Sequence, residues 1–356
     1  MAHRLLPLTL CSGRGAENRV HASDRLPPQT YSSTPQAYSS PSMAVAAHLT
    51  SYAVRLHEHG DVDVLRYEAV DCGEPGRGEL RVRVLAAGVN PIDAAIRQGF
   101  LKRPVPLPTI PGGDVSGYVH AVGAGVTDFD VGHPVYGVIG RTGAYAEYVI
   151  APAAVFAPKP QTLDHVHAAA VPLAALTAWQ MIFELAQLRA GQRVLVHAAA
   201  GGVGGFAVQL AKHAGATVIG TARQENTSYV HELGADQVID YHASRFEDIA
   251  RDMDVVLDLV GGETQHRSWS VLKRGGILVT ACDQPLAERA HAAGVHALRV
   301  SVRPDGAQLS IIAQLIDAER LRVHVSEIFP LADAARAHAS IQTRHTRGKL
   351  VLRVSQ

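Results

Sequence analysis

The stretch "AAAGGVGGFAVQLAKHAGATVIGTAR" (198–223) decides the fold. It leaves the apolar strand "RVLVH" (193–197), turns on Gly201, Gly202 and Gly204, and enters a helix carrying Phe206, Val208, Leu210 and Ala211. A second apolar strand, "TVIGT" (217–221), follows. Such a turn lets backbone approach a ligand closely. The helix behind it aims free N–H groups and the positive end of its dipole at the same place. A pyrophosphate is the usual occupant. The motif reads AAAGGVG at 198–204 rather than GxGxxG, yet strand, helix and second strand stand where a dinucleotide-binding unit needs them. The competing reading is a turn that merely allows tight helix–sheet packing.

The end of the second strand bears on the cofactor. An NAD site places Asp or Glu there to hold the ribose 2′-hydroxyl. This chain has Thr221, Ala222 and Arg223 instead. A carboxylate would repel a 2′-phosphate, whereas small residues leave room and an arginine clamps it. NADPH is therefore the expected cofactor. The alternative for Arg223 is a solvated loop residue.

Working outward, "QVID" (237–240), "DVVLDLV" (254–260) and "GILVTA" (276–281) continue the strand–helix alternation. That pattern predicts right-handed crossovers and a Rossmann-type, doubly wound parallel sheet in an α/β protein. Upstream, residues 52–165 favour β structure, as in "ELRVRVLAAG" (79–88), where Leu80, Val82 and Val84 alternate with Arg81 and Arg83. Gly and Pro punctuate this region up to Pro160, which suggests an irregular, barrel-like and mainly β domain. The richest apolar run, "AAAVPLAALTAWQMIFELA" (168–186), is broken by Pro172, Gln180 and Glu184. It reads as a buried helix at a domain junction, since a membrane span needs about 20 apolar residues.

After about 305, Leu309, Ile312, Leu315 and Ile316 line one face of a helix, and "GKLVLRV" (348–354) is the last strand. This tail is expected to return to the first domain. Residues 1–42, with "RLPPQTYSSTPQAYSSPS", have no period and are expected to be disordered. Met43 opens the folded pattern, and Glu17 and Asp24 weigh against a transit peptide. The expected division is a tail over 1–45, a first catalytic part over 46–165, a dinucleotide-binding domain over 166–304 and a return over 305–356.

Composition excludes several classes. The 33 basic residues balance 33 acidic ones, which gives no reason to expect nucleic acid or an anionic membrane as partner. Cys11, Cys72 and Cys282 are scattered and support neither a disulfide framework nor a thiolate metal site, so a reducing, cytoplasmic setting is expected. The close pairs His57/His59 and His165/His167 lack a third ligand, and no metal is expected.

Seven segments occur in order: "GVNPIDAAIRQG" (88–99), "IPGGDVSGYVHAVGAGV" (110–126), "GAYAEYV" (143–149), "LTAW" (176–179), "HAAAGGVGG" (197–205), "LGADQVIDY" (233–241) and "RGKLVL" (347–352). Together they make residues 52–356 resemble the zinc-independent, zeta-crystallin-like quinone oxidoreductase and enone reductase branch of the medium-chain dehydrogenase/reductase superfamily. That resemblance implies a discontinuous GroES-like catalytic domain beside the Rossmann-type domain. It also implies a homodimer and hydride transfer from NADPH to a quinone, enone or enal. Zinc alcohol dehydrogenases of the superfamily carry Cys where this chain has Asn90, and GHE where it has Gly112, Gly113 and Asp114.

Position by position, the resemblance implies that Ala200, Gly201, Gly202, Val203 and Gly204 bind the pyrophosphate. Thr221, Arg223 and Tyr241 fall to the 2′-phosphate or adenosine end. Thr177 and Asn90 resemble residues lining the nicotinamide side, and Lys349 a C-terminal cleft contact. Two departures stand out. Many relatives place Lys where this chain has Asn226, and Tyr where it has Phe100 and Leu101. With that tyrosine missing, Asn90 is the candidate for orienting the reacting groups and Tyr145 the nearest candidate proton donor. Asp93 reads first as an acid that fixes the Asn-Pro loop. Two alternatives stay open: a stand-alone enoyl reductase for a thioester, with Lys102 and Arg103 at the cleft mouth, and a non-catalytic NADPH-binding protein.

Overall fold

The computed structural model describes residues 49–354 apart from Lys102. The expected tail over 1–45, Cys11 and Lys102 lie outside the described residues. An antiparallel pair comes first, β1 (Leu49–Leu56) with β2 (Leu65–Cys72). Strand β3 (Glu79–Val89) runs into helix α1 (Pro91–Gln98), and β4 (Asp114–Val122), β5 (Pro134–Val138), β6 (Tyr148–Pro152) and β7 (Phe156–Pro158) follow. Helices α2 (His165–Ala169) and α3 (Pro172–Trp179) lead to β8 (Arg193–Val196).

Strands and helices then alternate. In order they are α4 (Gly202–His213), β9 (Thr217–Ala222), α5 (Thr227–Glu232), β10 (Gln237–Asp240), α6 (Phe246–Ile249) and β11 (Met253–Asp258). Next come α7 (Gly262–Ser268), β12 (Leu272–Thr280), α8 (Ala287–Ala293) and β13 (His296–Arg299). The chain closes with α9 (Gly306–Asp317), β14 (Val325–Pro330), α10 (Ala334–Gln342) and β15 (Lys349–Arg353).

Strands β8–β13 form one parallel sheet in the order β10-β9-β8-β11-β12-β13. The order reverses between β8 and β11, and ligands of such sheets bind at that switch point, beyond the carboxyl ends of the strands. Both faces are covered, which is why these strands read as continuous apolar runs. Val194, Val196, Val255 and Leu257 pack into a core with α3, α4 and α9, while Leu195, Ile219, Val256 and Leu278 pack into a second core on the opposite face. The other large sheet has the order β14-β15-β3-β4-β5-β7, with β6 also paired to β3. The C-terminal strands β14 and β15 thus join a sheet begun more than 200 residues earlier in the chain.

Two expectations change on folding, and one strand was not foreseen. The apolar run 168–186 is not one helix: it falls into α2, α3 and a π-helical turn (Gln180–Leu185). Pro172 starts α3, where its missing N–H costs no helical bond. α3 packs on α4 and α9 on one side and on β4 and β5 on the other, which explains its apolar surround. Arg81, expected on a polar face, is buried, because the Gly73 carbonyl, Glu74 and His120 accept or pair with its guanidinium. Finally, β13 went unread: "HALR" is a short, largely exposed edge strand with no apolar run.

Candidate active site at the glycine turn

The site is built where β8 ends. Ala198 takes a left-handed conformation (φ 49°), and Gly201 is the extended N-cap of α4. A methyl group on Gly204 would lie 2.1 Å from the Ala198 carbonyl oxygen, so only glycine lets the helix enter this close to the turn. One on Gly202 would lie 2.8 Å from Lys349 Cδ, so that glycine admits the C-terminal strand. The tight-packing reading of these glycines is therefore part of the answer. At the N-terminus of α4 the Gly205 N–H bonds the Gly201 carbonyl, while Gly202 and Val203 stay partly exposed ahead of it. Residues present therefore fit a diphosphate: unspent N–H groups, a helix dipole and no side chain in the way.

Beneath the turn, the Thr221 hydroxyl accepts the Ala198 N–H at 3.3 Å and lies 3.2 Å from His197 Nδ1. Thr221 is buried, so its hydroxyl supports the turn from below. Burial holds His197 down to about 4, keeping it a neutral hydrogen-bonding strut between Thr221 and Ser268. Ala200 and Val203 flank the turn, the first buried and the second partly exposed. At the outer end, Arg223 Nε donates to the Tyr241 hydroxyl at 3.0 Å, and Tyr241 is 46% exposed. The two residues expected at the 2′-phosphate therefore meet. Asn226 begins α5 next to them.

At the inner end, residues from four elements converge. Gly348 bridges Gly201, and its N–H donates to the Ala200 carbonyl at 2.9 Å, which carries the next residue, Lys349, into the cleft floor. Lys349 Nζ donates to the Val89 carbonyl at 2.9 Å and to Asn90 Oδ1, and lies 3.5 Å from Asp114 Oδ2. Asn90 Nδ2 donates to Asp114 Oδ2 at 2.8 Å, and the Leu173 N–H of α3 donates to Asp114 Oδ1 at 2.8 Å. One turn on, the Thr177 hydroxyl donates to the Leu173 carbonyl at 2.6 Å. Burial pulls the Lys349 ammonium below its ordinary range and pushes Asp114 up, and each charge opposes the shift of the other.

Asn90 is oriented by chemistry as well as distance. An ammonium only donates and an ionised carboxylate only accepts, so Oδ1 must face Lys349 and Nδ2 must face Asp114. One Nδ2 hydrogen is left unspent. The backbone is held too: Asp93 Oδ2 accepts the Asn90 N–H at 2.9 Å, which makes Asp93 the loop-fixing acid expected of it. Tyr145 is wholly buried, and its hydroxyl donates to the same Asp93 oxygen at 2.9 Å. Any proton Tyr145 supplies must therefore pass through Asp93. Sequence reading gave Asp93 a structural role only, and it singled out neither Asp114 nor His338 as a site residue. The signals were an acid after two glycines in "GGD" and an acid three residues after the N-cap Asn; His338 had none.

Burial raises the Asp93 carboxyl to about 7, against the opposing hydrogen bonds from Asn90 and Tyr145. Its native pKa lies above the unfolded value near 3.9. The stability this proton contributes is full below about pH 4 and is lost as pH rises through about 7. Asp93→Asn cannot ionise, so its stability relative to the parent should improve as pH rises across that window. Urea midpoints at each pH measure the difference, and a pH-independent difference would refute the assignment.

A zinc ion does not suit this cluster. Asn90 and Asp114 offer an amide and a carboxylate, and the Lys349 ammonium already lies against both. Among the described residues no group of three His, Cys, Asp or Glu could hold a metal ion. His57 pairs with Glu68 and His167 with Asp164. Among those residues no helix is long and apolar enough to cross a membrane.

Comparison with known proteins points to one superfamily. Residues 76–161 match the alcohol dehydrogenase GroES-like domain, and residues 233–352 match the family described as zinc-binding dehydrogenase. A 2-haloacrylate reductase from Burkholderia sp is 33% identical over 84% of this chain and 98% of its own length. An NADPH-dependent alkenal/one oxidoreductase of Arabidopsis thaliana is 34% identical over 83% of this chain and 77% of its own. The quinone oxidoreductase of Coxiella burnetii superposes with a TM-score of 0.80 at 34% identity, covering 86% of this chain and all of that one. An Escherichia coli quinone oxidoreductase complexed with NADPH gives 0.79 at 30% identity, over 85% of this chain and all of that one. A doubly wound sheet joined to a GroES-like domain, with relatives of this identity covered over most of their length, places the family: the chain belongs to the quinone oxidoreductase and enone reductase branch of the medium-chain dehydrogenase/reductase superfamily, an oxidoreductase family.

Proposed function

We propose that this chain is an NADPH-dependent reductase of quinones or α,β-unsaturated carbonyl compounds. The observation that carries the reading is the joining of the glycine turn to the Asn90–Lys349–Asp114 cluster through Gly348. A diphosphate on the turn and a reacting carbonyl at Asn90 are then held by one rigid unit. NADPH, when bound, supplies the hydride.

The chain's own residues do the rest. The N-terminus of α4 binds the diphosphate, and Arg223 with Tyr241 grips the 2′-phosphate. Asn90 offers its unspent Nδ2 hydrogen to a carbonyl or carboxamide oxygen. Lys349 spends its donors on Val89, Asn90 and Asp114, so it acts through charge, favouring the negative charge that gathers on the acceptor oxygen. Tyr145 contributes only through Asp93. The final proton comes from solvent at the cleft mouth, since no donor other than Asn90 is free among the groups described.

Full-length protein should oxidise NADPH with a 1,4-benzoquinone or a short enal as acceptor. Binding of NADPH with no turnover on either class, or on an enoyl thioester, would refute the reading. A second test addresses the cofactor. Arg223→Ala removes a charge-assisted hydrogen bond worth about 1.5–3 kcal/mol, so NADPH affinity should fall on the order of 10- to 100-fold while NADH affinity holds. Equal losses for both cofactors would remove Arg223 from the 2′-phosphate.

A further inference from the structure

Behind Asn90 runs a line of buried polar groups that the reduction itself does not use. His338, from α10, is 0% exposed, and its Nε2 lies 3.3 Å from the Tyr145 hydroxyl. That hydroxyl donates to Asp93 Oδ2, which also accepts the Asn90 N–H. A hydroxyl has one hydrogen, and here it is spent on Asp93. Tyr145 must therefore accept from His338, so Nε2 carries the imidazole hydrogen and Nδ1 is bare. The geometry agrees: His338 Nδ1 is buried with no partner. The line has a single direction, from His338 to Tyr145 to Asp93, and it ends on the backbone of Asn90. The side chain of Asn90 is gripped separately by Asp114 and Lys349.

We propose that His338 and Tyr145 are positioning residues that act through Asp93 to hold Asn90 in its working orientation. The proposal rests on the reading above that Asn90 orients the reacting groups. A core position for Tyr145 or His338 needs no polar atom to be filled. Three polar side chains in line, each inaccessible to solvent, cost desolvation, and the bonds along the line offset only part of it, since Asp93 Oδ1 and His338 Nδ1 stay unpartnered. The groups facing Asp93 come from every neighbouring element: Asn90 N–H from its own N-cap, Tyr145, Asp114 from β4 and Lys349 from β15. Arg97 of α1, paired with Asp61 and Gln342, sits beside His338 and helps keep it uncharged. Burial holds His338 down to about 3, so at neutral pH it is an uncharged donor.

The test uses the full chain with Tyr145→Phe, His338→Leu and His338→Gln, the last keeping a side-chain N–H donor. With NADPH and a 1,4-benzoquinone, kcat should fall on the order of tenfold in Y145F and H338L, while NADPH affinity and acceptor KM stay within about threefold. H338Q should recover most of the loss. Y145F should also shift the kcat–pH limb upward, because Asp93 loses a hydrogen bond to its charged form. A lowered Tm with unchanged kcat, an H338Q no better than H338L, or an unmoved limb would overturn the proposal. If H338L does not fold, Y145F and H338Q decide it.

A readout free of turnover separates this idea from the reductase reading. Carboxyl carbon NMR of Asp93, assigned with Asp93→Asn, should titrate together with the Asn90 amide nitrogen. Both midpoints should rise by about one pH unit in Y145F. If the parent reduces no acceptor, the reductase reading fails, and this titration alone judges the relay. An Asn90 amide that does not follow Asp93 would sink it.

Discussion

Lys349→Met should abolish most reductase activity and destabilise the fold by about 3–5 kcal/mol, the usual result of leaving a buried charge without its partner. Met has nearly the length of Lys, so packing against Gly202 is retained while the ammonium is lost. Asn90 Oδ1 and the Val89 carbonyl then lose a donor, and the wholly buried Asp114 carboxylate, still hydrogen-bonded to Asn90 Nδ2 and the Leu173 N–H, loses its counter-charge. Asn90 then keeps only the Asp114 contact to tell its nitrogen from its oxygen, so its amide is held less firmly. Chemical denaturation at pH 7 and NADPH oxidation measure the two effects. Adding Asp114→Leu should restore much of the stability by removing the unpaired charge. Activity should stay lost. Recovery of activity along with stability would make Lys349 a structural residue only.

Gly204→Ala should raise the dissociation constant for NADPH by at least about 100-fold, equivalent to roughly 2.7 kcal/mol. The added methyl would face the Ala198 carbonyl oxygen at 2.1 Å and the Ala199 Cα at 2.9 Å. Both are backbone atoms of the turn, so no rotamer change relieves the clash. Either α4 backs away or the turn opens, and in both cases the N–H groups leave the diphosphate. Overpacking of this kind also costs about 1–3 kcal/mol of stability. Gly201→Ala is the control, because its methyl would meet only the Ala198 oxygen at 3.3 Å. Fluorescence titration with NADPH and a thermal melt separate the effects. Equal losses in the two variants would place the cause outside the helix–turn contact.

Much of the fold was legible because local chemistry and tertiary structure agree there. "QVID" forms β10 over the same four residues, and "TVIGT" lies within β9. Parallel strands buried on both faces must be short and apolar, and glycines must stand where α4 meets the turn. The run around Pro172 was harder to read. Its surround is apolar because α3 lies between β4 and β5 on one side and α4 and α9 on the other, and an all-round apolar stretch has no face from which to read its breaks. Arg81 misled for the opposite reason: alternation placed it outward, but partners from the Gly73–Glu74 loop and His120 cover it.

The residues that hold Asn90 divide in the same way. Asp93 could be read, because a capping acid acts three residues from its own N-cap. Asp114, Lys349 and His338 lie 24, 259 and 248 positions from Asn90. Their meeting depends on β15 returning to pair with β3, and on Gly348 docking against the glycine turn. Sequence alone determined the parallel sheet, the turn and the missing acid at Arg223, since each follows from neighbours along the chain. Only the tertiary structure decided that Lys349 points at Asn90 and that Tyr145 faces Asp93. A side chain's partner across a sheet is set by register and burial, and neither is written in local spacing.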